Sequence, residues 1–140
     1  MNQHRVQDMM QLMATRINAI AGHISDEEVS HFIKELLDAK RIYVMGAGRS
    51  GLVAKAFAMR LMHLGMISYV VGETITPALQ NGDLIVVLSG SGKTRTIVEI
   101  VQTAKEIGGR ISLITSNPDS PIGKISDSKV ILENYRDSIP

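Results

Sequence analysis

The chain has 140 residues, enough for one ordinary domain with a real hydrophobic core. Hydrophobic residues make up 44% and charged residues 21%, a balance that excludes an intrinsically disordered chain. A formal net charge of +1 supplies no basic field for nucleic acid, and the absence of cysteine removes disulfides, thiolate nucleophiles and cysteine metal sites.

The opening Met-Asn-Gln-His lacks a charged-then-apolar leader pattern, and no apolar run reaches membrane-spanning length. A cytoplasmic protein with no membrane partner is expected, which the lack of cysteine also suits. The first forty residues predict two helices. Val6, Met9, Met10, Met13, Ile17 and Ile20 recur at three- and four-residue spacing, giving an apolar stripe suited to core packing or to a subunit contact. Gly22 is a plausible stop, and Ser25 with Glu28 forms an S-x-x-E capping box that opens the second helix. Val29, Phe32, Ile33, Leu36 and Leu37 make the apolar face of that helix.

From Arg41 onward strands and helices alternate. Strands are predicted at 41–45, 68–71, 84–88, 111–115 and 129–132, each short and rich in β-branched residues. Helices are predicted over about 50–64 and 94–107, with a short helical piece near 121–126. Gly65 and the pair Gly108-Gly109 fall where helix C-caps belong. Such alternation implies a parallel sheet with right-handed crossovers, covered by helices on both faces. Ligands then bind beyond the carboxyl ends of the strands, near the point where strand order reverses.

Two glycine/serine turns lie at such ends. The first, Gly46-Ala47-Gly48-Arg49-Ser50-Gly51, follows the strand Ile42-Tyr43-Val44-Met45. The second, Ser89-Gly90-Ser91-Gly92-Lys93-Thr94, follows Leu84-Ile85-Val86-Val87-Leu88. Each aims backbone N–H groups and a positive helix end at one point, which is the make-up of an anion-binding cup. The first turn also reads G-x-G-x-x-G with Glu73 downstream, so a dinucleotide reading stays open. Ser50 is expected both to cap its helix and to meet a phosphate. The second turn ends in Gly-Lys-Thr, but a phosphate-binding P-loop needs glycine where Val87 stands. What remains is three hydroxyls, on Ser89, Ser91 and Thr94, able to meet phosphate oxygens together with backbone amides. Two cups on neighbouring strands point to one pocket for a phosphorylated small molecule.

Ser-x-Ser-Gly-x-Thr preceded by Gly-x-Gly-x-Ser one crossover earlier resembles the sugar isomerase (SIS) domain family. Lys55 to His63, Val71-Gly72-Glu73 with Thr76-Pro77, Gly82-Asp83-Leu84, Asn117-Pro118 and Ile122-Gly123-Lys124 are similar to the branch of that family that isomerises a phosphorylated hexulose. The resemblance implies an α/β fold: one three-layer αβα sandwich over 1–140, with helices in 1–39 and a core in 40–140. Its sheet would have five parallel strands in flavodoxin-like order. It also implies interconversion of 3-hexulose 6-phosphate and fructose 6-phosphate through an enediol, with no cofactor and no metal. The phosphate would go to Ser50, Ser89, Ser91 and Thr94 and to the amides of Gly90, Gly92 and Lys93.

Moving a carbonyl to the adjacent carbon needs a base and an oxyanion donor. Glu73 is the acid nearest the expected pocket mouth, although a solvated loop carboxylate is an equally good reading of it. Arg49, inside the first cup, could steady the phosphate or the enediolate; an ordinary surface ion pair is its alternative. His63 falls late in its helix and is not expected in catalysis, and His4, His23 and His31 share no ligand spacing. The apolar N-terminal stripes and the small domain suggest a homodimer or homotetramer. The family continues past the fifth strand into a Pro-x-Gly-[Ser/Thr] turn and a long helix bearing a glutamate. Tyr135 to Pro140 do not match that segment, so the domain is expected to lack that helix. Competing expectations are a non-catalytic sugar-phosphate sensor and another phosphosugar isomerase of the same family.

Overall fold

Helical periodicity in the first forty residues and β-branched runs thereafter are realised in a computed structural model, which describes residues 5–132. Two helices come first, α1 (Arg5–Ala21) and α2 (Asp26–Asp38). The alternating part follows: β1 (Ile42–Gly46), α3 (Arg49–His63), β2 (Ser68–Val70), β3 (Leu84–Leu88) and α4 (Arg95–Ile107). It ends with β4 (Arg110–Thr115), a short α5 (Pro121–Ile125) and β5 (Ser128–Ile131). The expected strands and helices agree with these bounds to within one or two residues. The tail from Tyr135 to Pro140 and His4 lie outside the described residues.

All five strands pair in parallel, in the order β2-β1-β3-β4-β5. This is the expected flavodoxin-like order. It reverses between β1 and β3, so the crevice beyond their carboxyl ends is where a ligand belongs. Those two strands run in register from Ile42 opposite Leu84 to Gly46 opposite Leu88, which sets the two turns side by side.

Period-two alternation divides the core. Ile42, Val44, Leu84 and Val86 pack under α2 and α3 against Leu36, Ala54, Ala58 and Leu61. Tyr43, Met45, Ile85 and Val87 point the other way, onto Ile97, Val101 and Ala104 of α4 and Ile122 of α5. The strands are therefore covered on both faces, which explains their unbroken apolar runs. Gly108 takes the left-handed C-cap of α4, at φ +97°, and Gly65 follows the C-cap of α3 at φ +87°.

The N-terminal helices depart from expectation in three ways. No residue of α1 is buried, so its stripe is not core packing within one chain; Met10, Met13 and Ile17 are each 60% or more exposed. The α2 capping box forms only in half. Ser25 Oγ accepts the Glu28 N–H at 3.2 Å, but Glu28 Oε1 turns instead to accept the Ile131 N–H of the edge strand at 3.1 Å. Farther along α2, Arg110 Nε donates to Glu35 Oε2 at 2.8 Å and its Nη2 to Oε1. Phe32 and Leu36 turn inward as predicted, together with the paired Glu35, whereas Ile33 and Leu37 of the same predicted face are exposed. No described helix is long and apolar enough to cross a membrane.

Candidate functional site

The first turn is shaped by missing side chains. A Cβ on Gly46 would lie 2.7 Å from the Ser50 carbonyl carbon, and one on Gly51 would lie 2.7 Å from the Gly46 oxygen. Strand end and helix start therefore touch backbone to backbone, which only glycine permits at both positions. Gly48 is the N-cap of α3, at φ +56° and ψ −126°, and caps without a side chain. This corrects the expectation that Ser50 caps the helix: Ser50 sits inside the first turn. Among the described residues its hydroxyl has no hydrogen-bond partner, and it faces the crevice.

The second turn is shaped by hydroxyls. Ser89 is buried, its N–H donates to Ile114 O at 3.1 Å, and its Oγ accepts the Gly92 N–H at 3.0 Å. Ser91 Oγ accepts the Lys93 N–H at 3.3 Å. The amides of Gly92 and Lys93, expected to meet a phosphate, are thus engaged within the loop. Those of Gly90 and Ser91 have no partner among the described residues. Thr94 is the N-cap of α4 yet makes no side-chain cap, so its hydroxyl also stays available. Val87, which breaks the P-loop pattern, is fully buried in β3.

Two clefts meet along Ser50, Leu88, Ser89 and Gly90. The smaller, about 270 Å³, lies between the turns and adds Ala47, Ser91 and Thr94. The larger, about 470 Å³, adds Arg49 and Val53 on one side and Thr115, Ser116 and Leu132 on the other. The structure thus brings together Arg49, Ser50, Ser89, Gly90, Ser91 and Thr94. Among the described residues, neither cleft is lined by a carboxylate or an imidazole. Glu73 stands on the loop after β2, half-exposed, with Oε1 3.3 Å from Lys55 Nζ. That loop is secured by Thr76 Oγ1 donating to Val70 O and by Arg41 donating to Asp83. Burial pushes the Asp83 carboxyl up, but hydrogen bonds from Arg41 and the Gln80 N–H outweigh it and hold the group below its ordinary value.

A further cavity, about 270 Å³, opens at the amino ends of β3 and β4 beside His31, Lys34, Glu35 and Arg110. It lies at the opposite end of the sheet from both turns. Among the described residues no group of three histidines or acids could hold a metal ion. Thr115 and Ser116, which line the larger cleft, are not among the residues expected from sequence to bind or react. The available signal was a Thr-Ser-Asn run at a strand's carboxyl end.

The SIS domain family model matches residues 35–138. An uncharacterised protein of Aeropyrum pernix is 52% identical over 115 residues, which are 79% of this chain and 54% of that protein. The 3-hexulose-6-phosphate isomerase of Mycobacterium gastri is 42% identical over 123 residues, 88% of this chain and 62% of that enzyme. The chain thus spans little more than half the length of these relatives. Among solved structures, a Methanococcus jannaschii protein, whose structure led to an inference of 3-hexulose-6-phosphate isomerase function, superposes with a TM-score of 0.74 at 34% identity. That match covers 81% of this chain and 65% of the other.

Proposed function

The chain belongs to the SIS domain family, and on that premise we propose that it is an isomerase converting 3-hexulose 6-phosphate to fructose 6-phosphate. The observation that carries this reading is the convergence of two strand–turn–helix cups on one crevice, in a chain similar to enzymes of that name. The smaller cleft takes the phosphate. Ser50, Ser89, Ser91 and Thr94 donate hydroxyls to it, and Gly90 adds its free N–H, with helix ends α3 and α4 behind them. Gly92 and Lys93 act through their bonds to Ser89 and Ser91, which hold the loop. The sugar extends past the shared wall into the larger cleft.

Reaction requires removal of the proton on C2, formation of a 2,3-enediol and return of a proton to C3, while the hydroxyl proton passes between O2 and O3. Arg49 lines the larger cleft, which supports its role in steadying the developing oxyanion. Glu73, on the loop after β2 and paired with Lys55, is our proposed proton-transfer group. Such a step would belong to formaldehyde fixation by the ribulose monophosphate pathway. The exposed stripe of α1 supports a homodimer or homotetramer, since an apolar helix face left in water is unfavourable.

The test is a coupled assay for fructose 6-phosphate formed from 3-hexulose 6-phosphate by the full-length gene product. Turnover is expected, and Glu73→Gln should lower it by about a hundredfold or more without changing phosphate-ester affinity. Undiminished turnover in Glu73→Gln would exclude that residue. Binding of fructose 6-phosphate without turnover favours the second reading, a sugar-phosphate sensor.

A further inference from the structure

A loop that receives an anion must turn its N–H groups inward and its carbonyl oxygens away, because each carbonyl carries partial negative charge. The Ser89–Thr94 loop does this with outside help. The Gly90 oxygen accepts from the Ser116 N–H at 3.1 Å, from Ser116 Oγ at 2.7 Å and from Thr115 Oγ1 at 3.1 Å. A carbonyl has two lone pairs, so three donors on one oxygen fully occupy it. The next carbonyl, Ser91, accepts from Asn117 Nδ2 at 3.1 Å, and the next, Gly92, from the Ile122 N–H at 3.1 Å. Three consecutive carbonyls are therefore drawn toward the end of β4, the turn after it and the start of α5. The Gly90 and Ser91 N–H groups, with no partner among the described residues, are left for the cleft. Thr115 is itself braced, since its Oγ1 also accepts the Asn117 N–H at 3.1 Å.

We propose that Ser116 is a positioning residue for phosphate binding: through the Gly90 carbonyl it holds the loop with its amides presented to the anion. The inference rests on the reading that the smaller cleft takes a phosphate. Ser116 is absent from the smaller cleft's wall and lines only the larger one, so its influence on a bare phosphate ion passes through Gly90. Ser116 contributes two of the three donors, and Ser116→Ala removes the shortest bond while keeping the backbone one.

The experiment compares inorganic phosphate and fructose 6-phosphate as titrants of the wild type, Ser116→Ala, Ser116→Thr and Asn117→Ala. Affinities are read by calorimetry, and the Gly90 and Ser91 amide shifts by NMR. Ser116→Ala should weaken both titrants by about fivefold, the value of one lost neutral hydrogen bond. Ser116→Thr, which keeps the hydroxyl, should restore binding, and Asn117→Ala should weaken it by about threefold. Phosphate should move the Gly90 and Ser91 amide signals in the wild type and much less in Ser116→Ala. Wild-type phosphate affinity in Ser116→Ala overturns the proposal. So does a loss confined to fructose 6-phosphate, which would mark a sugar contact. If Ser116→Ala does not fold, unchanged phosphate affinity in Asn117→Ala overturns it. A wild type that binds neither titrant overturns the phosphate reading itself, and with it this inference.

Discussion

The two turns occupy equivalent places on neighbouring strands, yet they are held by opposite means. In the first, backbone meets backbone at Gly46 and Gly51, and the helix start has no side-chain cap among the described residues. In the second, Ser89 and Ser91 bond the loop from inside while Thr115, Ser116 and Asn117 bond it from outside. Glycine spacing says only that chain segments come close, and it serves dinucleotide sites and phosphosugar sites alike. Hydroxyls at fixed spacing name a chemistry. That is why the first turn was ambiguous in the sequence and the second was not.

The sharpest way to break this contrast is to add one methyl group to each turn. Gly46→Ala puts a Cβ 2.7 Å from backbone that cannot yield, and should destabilise the fold by about 3 kcal/mol. Gly90→Ala meets nothing nearer than Ser116 Oγ at 4.0 Å, so it should shift stability by less than about 1 kcal/mol. Urea unfolding of both variants checks this. Equal losses would show that the second turn is as tightly packed as the first.

A second control lies at the far end of the sheet. Arg110 draws the buried Glu35 carboxyl below its ordinary value, chiefly through their hydrogen bonds and against the cost of burial. A depressed carboxyl pKa stabilises the fold fully above the unfolded value, about 4.3, and the contribution is lost as pH falls through the folded one. Arg110 is half-exposed, so Arg110→Ala should cost about 2 kcal/mol near neutral pH, less than for a fully buried pair. The gap from the wild type should close as pH drops below about 4. Phosphate-ester affinity should not move, since both cups lie at the other end of the strands. An affinity loss matching that of the cup variants would mean that binding tracks global stability, and the comparison of the two turns would lose its meaning.

Much of the architecture was legible in the sequence because its signals are local. Short β-branched runs, Gly108 at a helix end and hydroxyls after Leu88 each act within a few residues. What escaped was tertiary. Ser50 reads as a cap, but the cap falls to Gly48, because Gly46 and Gly51 must touch and the helix therefore begins earlier. Glu28 reads as half of a capping box, but the Ile131 N–H, 103 positions away, competes for it. The role of Ser116 depends on a carbonyl 26 residues upstream and is invisible in any window of sequence.

The finest test uses two helix N-caps. Ser25 Oγ accepts the Glu28 N–H, so Ser25→Ala should cost about 1 kcal/mol of stability, the usual value of a cap. Thr94 occupies the same position on α4 without making that bond. Thr94→Val preserves shape and removes only the hydroxyl, so stability should change by less than about 0.5 kcal/mol. Phosphate-ester affinity, however, should fall by about fivefold to tenfold if the hydroxyl is reserved for ligand. Thermal unfolding and calorimetry on the same samples separate the two effects. A stability loss equal to that of Ser25→Ala would return Thr94 to ordinary capping. A loss of affinity alone would show a hydroxyl kept out of the fold's own hydrogen bonds, which is how the second turn differs from a loop that merely starts a helix.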